Sequence, residues 1–166
     1  MPHNDANFGI GTLGGNIHDK APGWGAEGLA MDTVKTAYRA VTREIEVKAS
    51  PRFLPDRSSP ENGYFFWAYT IEIVNRGEKT VQLKTRYWHI TDAFGRVQEV
   101  RGAGVVGEEP VIPPGESFEY TSGVPLQTPS GFMAGSYGMV SNSGEHFDIE
   151  IPAFSLDSAH ASRTIN

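Results

Sequence analysis

The stretch RGAGVVGEEP at 101–110 spaces Gly102, Gly104 and Gly107 as G-x-G-x-x-G. That spacing serves dinucleotides when a parallel strand ends in it and a helix begins after it. The glycines then let the backbone approach a pyrophosphate, and the helix N-terminus offers its amides to the anion. Here Glu108 and Glu109 follow directly and would repel phosphate, and Pro110, Pro113 and Pro114 interrupt any helical ladder. The glycines therefore read first as architecture, a strand kink or a close backbone crossing where a Cβ will not fit. Binding of a nucleotide or pyrophosphate through Gly102, Gly104 and Gly107 is the rival reading.

A second group could hold a metal. His146, Asp148 and Glu150 alternate in HFDIEIP, so on a strand all three point to one side. Imidazole and carboxylates suit a divalent ion, and His89 and Asp92 could add ligands if their strand lies alongside. Two strand steps span about 6–7 Å, however, which is wide for ligands of one ion. A solvated polar face opposite a buried apolar one accounts for the same alternation.

No residue is nominated as catalytic. Gly135-Ser136-Tyr137-Gly138 falls one residue short of a nucleophile elbow and sits mid-strand. Glu108 and Glu109 are adjacent, so they point to different sides. The chain has no cysteine, which excludes disulfides, thiolate metal sites and a cysteine nucleophile. Its formal net charge of −6 argues against a nucleic-acid binder, which normally shows a basic face. No apolar run approaches the length of a membrane span, and no basic-then-apolar leader opens the sequence. The lack of cysteine is neutral about compartment, though a small disulfide-free domain fits the cytosol, and neither a cofactor nor catalysis is expected.

The elements that must position these residues are strands. Residues 1–33 are punctuated by glycine, follow neither period 2 nor period 3.6, and read as a flexible tail. Met31 is an alternative start. Residues 34–156 form the expected domain, and 157–166 a second tail. In AYRAVTREIEV, Val41, Ile45 and Val47 share one parity, which predicts one half-buried strand. Pro51, Pro55 and Pro60 then predict a loop. Residues 64–75 give the strongest strand, with Phe65, Trp67, Tyr69, Ile71 and Ile73 on one face.

Residues 81–91 change inward parity between Leu83 and Trp88, which predicts a bulge. Tyr87 and Trp88 must face opposite ways, one into the core and one partly exposed. Asp92-Ala93-Phe94-Gly95, Pro114-Gly115 and Ser143-Gly144 read as turns. Short strands at regular spacing without a convincing helix indicate an antiparallel sandwich.

The run from Arg86 to Met139 resembles the ApaG family, and the resemblance extends from about Val34 to Leu156. Arg86-Tyr87-Trp88, the segment Val100 to Gly107, Pro114-Gly115-Glu116, Tyr120-Thr121-Ser122-Gly123 and Ile151-Pro152-x-Phe154 carry it. The resemblance implies an all-β, antiparallel immunoglobulin/fibronectin-III-like β-sandwich in a small bacterial cytoplasmic protein. It also implies a link to cobalt resistance and magnesium efflux. Related domains in eukaryotic F-box adaptors and a polymerase-interacting protein look like protein-interaction modules. The family's glycine motif was proposed to bind pyrophosphate, and Gly102, Gly104 and Gly107 match it. The expected partner is thus a protein, with no nucleic acid and no membrane. An open sandwich also leaves edges on which a second copy could pair to form a homodimer.

Overall fold

The computed structural model describes residues 38–158. The expectations for residues 1–33, including a start at Met31, lie outside the described residues. Nine strands and two short 3-10 turns make up the rest. In chain order they are β1 (Tyr38–Thr42), β2 (Ile45–Phe53), β3 (Phe65–Asn75), β4 (Val81–Asp92), β5 (Val97–Ala103), β6 (Val111–Ile112), β7 (Ser117–Leu126), β8 (Ser130–Ser141) and β9 (His146–Asp157). One antiparallel sheet has the order β1-β2-β3-β7, and the other β5-β4-β8-β9 with β6 beside β5 on the same edge of β4. Packed face to face, they form an immunoglobulin/fibronectin-III-like sandwich.

Alternation fills the space between the sheets. Trp67, Tyr69, Ile71 and Ile73 of β3 point inward and are buried, as are Trp88 and Ile90 of β4 and Ile149 and Ile151 of β9. Trp88 sits at the centre of an edge-to-face group: its ring lies 5.2 Å from Tyr69, 6.0 Å from Phe154 and 6.5 Å from Tyr137. The Trp67 indole N–H donates to the Asp157 carbonyl at 2.9 Å, and the Ser158 hydroxyl donates to Pro129 O at 2.7 Å. The folded body therefore runs two residues past the expected boundary at 156. The bulge foreseen in β4 falls between Leu83 and Thr85.

Two local expectations are corrected. Residues 38–47 are not one strand but two, joined by Arg43 and Glu44 at φ 49° and 65°. Both central residues with positive φ define a primed hairpin turn, which normally signals itself by Asn or Gly. Here Arg43 is held by other contacts. Its guanidinium meets Glu145 at 2.6 Å and lies 4.6 Å from the Phe147 ring centre. The turn leaves Val41 exposed, whereas Val47 is buried.

Pro51 does not start a loop but lies within β2, opposite Tyr69. Leu54 N donates to Phe66 O at 2.9 Å, and counting back by twos turns the Pro51 nitrogen away from β3. Among the described residues no β1 residue pairs with Pro51, so no described ladder bond is lost there.

The two flanks of the sandwich differ. Along one, β1 and β9 lie together, and Glu150 N donates to Thr42 Oγ1 at 3.1 Å. Along the other, β5 with β6 and β7 are edge strands with no further strand paired to them among the described residues.

The outer face of the first sheet carries a buried carboxylate. Glu46 is 1% exposed and is met by Arg39 at 2.7 Å, Lys48 at 3.3 Å and Arg76 at 3.4 Å. Burial pushes its pKa up, but hydrogen bonds from the three cations outweigh this and leave it below the ordinary 4.5. A depressed carboxylate stabilises the fold above its unfolded pKa, and that contribution disappears as pH falls through the folded value. The three cations are solvent-exposed, which keeps the energy small. Glu46→Gln should cost about 1–2 kcal/mol at neutral pH. In urea denaturation followed by tryptophan fluorescence, the gap between variant and wild type should close as the pH is lowered below 4.5.

Candidate functional site: a cleft at the open flank

On β4, Arg86, Trp88 and Ile90 share one parity, so the strand that carries Trp88 into the core carries a guanidinium inward as well. Residue type and spacing alone do not single out Arg86 as a binding residue. The inward parity of Trp88 was the signal that could have found it. Arg86 pairs with Gly102 on β5 and with Tyr137 on β8, which places it between the sheets at the open flank. A cleft of about 320 Å³ lies there, lined by Arg86, Tyr69, Trp88, Tyr120, Ser122 and the 102–107 segment.

The glycine motif forms one wall and seats this arginine. A Cβ at Gly102 would stand 2.7 Å from the guanidinium carbon. Arg86 Nη1 donates to Ala103 O at 2.9 Å and to Gly104 O at 3.1 Å. Gly104 has φ 60°, and a Cβ there would lie 2.3 Å from Glu108 O. The following residues close a miniature hairpin. Val105 N donates to Glu108 O and Glu108 N to Val105 O, both at 2.8 Å. Val106 and Gly107 occupy its tip at φ 44° and 79°.

No helix follows Gly107. The amides of Gly104, Val105 and Glu108 are spent on Lys84 O, Glu108 O and Val105 O. The structure thus brings Gly102, Gly104 and Gly107 beside a cation, with three of the segment's amides already bonded within the chain.

The inner wall is neutral and polar. The hydroxyls of Tyr120 and Tyr137 hydrogen-bond to each other in the core. Burial pushes both well above the ordinary tyrosine value, and the Arg86 charge opposes this only in part. Tyr69 is also raised by burial, against a hydrogen bond with Ser122 and the same Arg86 charge. These side chains are therefore protonated, and a hydroxyl whose hydrogen is not committed can donate to an entering acceptor. One guanidinium beside such groups suits recognition of a hydrogen-bonding anion. No residue of the cleft is placed as a nucleophile or general base.

The other candidates sit elsewhere. His146, Asp148 and Glu150 are exposed on β9, opposite Val140, Gly138 and Ser136 of β8. His89 pairs with Glu99 and Ala134, so β8 separates its strand from β9. Asp92 closes its own turn, its Oδ1 accepting from Phe94 N at 2.9 Å and Arg96 N at 3.0 Å. Among the described residues, no three His, Asp or Glu side chains are grouped to hold a metal. Tyr87 is the outward member of its pair. It donates to Glu99 Oε1 at 2.6 Å under the Arg101 guanidinium, 4.2 Å from its ring centre.

The sequence profile of the ApaG domain matches residues 55–141, a span that contains every residue named in the cleft. Protein ApaG of Afipia carboxidovorans is 68% identical over 129 residues, covering 78% of this chain and 99% of the relative. The chain belongs to the ApaG family. Protein ApaG of Azorhizobium caulinodans is 62% identical over the same coverage. A crystal structure described as the putative ApaA protein of Bordetella pertussis superposes with a TM-score of 0.68 at 42% identity, covering 75% of this chain and 98% of that one. No helix among the described residues is long and apolar enough to cross a membrane.

For this ApaG-family chain the three glycines make separable demands. Gly104→Ala forces a Cβ onto a backbone oxygen in a left-handed conformation, whereas Gly107→Ala meets open space and only the left-handed strain. Denaturant titration should show a loss of about 1 kcal/mol for Gly107→Ala and at least twice that for Gly104→Ala. Gly102→Ala should displace the Arg86 guanidinium, seen as a shift of its Nε–Hε resonance.

Proposed function

We propose that this chain is a non-enzymatic protein-interaction module that takes an extended segment of a partner along β5. The edge geometry carries the proposal. Asp92 N donates to Arg96 O at 3.0 Å at one end of the β4–β5 pairing, and Gly104 N to Lys84 O at 2.8 Å at the other. In an antiparallel ladder the hydrogen-bonded pairs alternate. Gln98, Val100 and Gly102 therefore bond to β4, and the amides of Val97, Glu99 and Arg101 point away from the sheet. Such a row is a ready template for strand addition. The strand is short and bears Glu99 and Arg101, so it favours a partner of matched charge over indiscriminate aggregation. A second copy of the chain could use the same edge. The module works in the cytoplasm, and any effect on Co²⁺ or Mg²⁺ homeostasis runs through the partner.

The test is affinity capture from native lysate on the wild type, on Glu99→Pro and on Glu99→Ala. Proline removes an amide that makes no bond to β4 and is tolerated on an edge, while alanine removes the same side chain and keeps the amide. A protein retained by wild type and Glu99→Ala but lost on Glu99→Pro is expected, with unchanged thermal unfolding of all three. Proteins retained equally by all three, or none retained, would defeat the proposal. Saturable Co²⁺ binding abolished by His146→Ala with Asp148→Ala would favour a metal-binding role instead.

A further inference from the structure

Arg86 supplies the one charge lining the open-flank cleft. Its Nη1 is satisfied by two neutral carbonyls, and no carboxylate pairs with it among the described residues. Glu109 meets Lys84 at 3.0 Å, and Glu99 accepts from Tyr87 at 2.6 Å. The guanidinium is half-buried and has no carboxylate partner among the described residues, so it is available to an anion that enters the cleft. The planar fork of arginine matches a carboxylate.

The surroundings favour one negative charge over several. Glu108 and Glu109 follow the glycine segment, the chain is net −6, and the amides of Gly104, Val105 and Glu108 are already bonded. Each of these disfavours a polyphosphate. Gly102 lies between the free edge of β5 and the guanidinium, and it has no side chain to block the way. A strand added along β5 points alternate residues toward the sandwich interior, and the one opposite Gly102 is directed at Arg86.

Resting on the β5 proposal, we infer that the partner segment carries an aspartate or glutamate opposite Gly102, and that its carboxylate enters the cleft and pairs with Arg86. Tyr69, Tyr120 and Ser122 line the space it occupies.

The experiment selects a displayed random nonapeptide library on the full chain, and in parallel on Arg86→Gln, Arg86→Lys and Glu99→Pro, each checked for folding by thermal unfolding. Wild-type selections should fix Asp or Glu at one position. Exchanging that acid for its amide in the synthetic peptide should weaken binding about tenfold or more. Arg86→Gln should erase this difference and Arg86→Lys reduce it. Glu99→Pro should lose the peptide but keep the shift of the Arg86 Nε–Hε resonance on adding free glutarate. Peptides with no fixed acid, or indifferent to the acid-to-amide exchange, overturn the carboxylate and leave strand addition standing. If no peptide is selected, or if Glu99→Pro still binds one, strand addition fails. The carboxylate is then decided by the resonance alone. A saturable glutarate shift supports it, whereas no shift, or a tighter response to inorganic phosphate, overturns it.

Discussion

The structure turns on how Trp88 fills the gap between the sheets. Its indole touches aromatic rings from β3, β8 and β9 at 5.2–6.5 Å in edge-to-face arrangements. Aromatic rings placed this way gain directional contacts on top of buried area, so one side chain sets the spacing of both layers. The same residue forms part of the cleft wall. Packing of the core and the shape of the cleft are therefore one problem, and a change that loosens Trp88 alters both. The inward parity that delivers Trp88 also delivers Arg86 two residues earlier, since period 2 admits no other outcome within a strand.

Architecture and chemistry are joined at the glycine segment. Gly102 is bare because a guanidinium occupies the space beneath it, and Gly104 because a carbonyl approaches it. The spacing that imitates a dinucleotide loop arises here from a strand crossing an arginine and then folding back on itself. Motif spacing reports where backbone must come close to something, and the neighbouring elements determine what that something is. In this fold the neighbour is a side chain of the protein.

Much of the sandwich was legible because its signals are local. Alternation in β3 and β9, the parity change in β4, and the turns at Gly95, Gly115 and Gly144 all follow from side-chain period and positive φ. Three features were not legible, each for a physical reason. The Arg43–Glu44 turn lacks turn residues because contacts with Glu145 and Phe147, a hundred positions away, hold it. Pro51 reads as a breaker because nothing in the sequence says that its nitrogen turns away from β3. The cleft was missed because it needs residues from β3, β4 and β7 beside the glycine segment, and only the fold brings them together. His146, Asp148, Glu150 and His89 drew attention by residue type, yet the strand order keeps His89 apart from the other three.

The contrast between the two flanks gives the molecule a mechanical direction. With β1 laid on β9 it resembles a book bound along one side, with β5 and β7 as its fore-edge. The outer lip there is the four-residue loop Val105 to Glu108, knotted to itself by two backbone bonds. Within that lip Val105 is anchored in the core and Gly107 holds a left-handed turn, so the residues that border the opening also secure it to the interior.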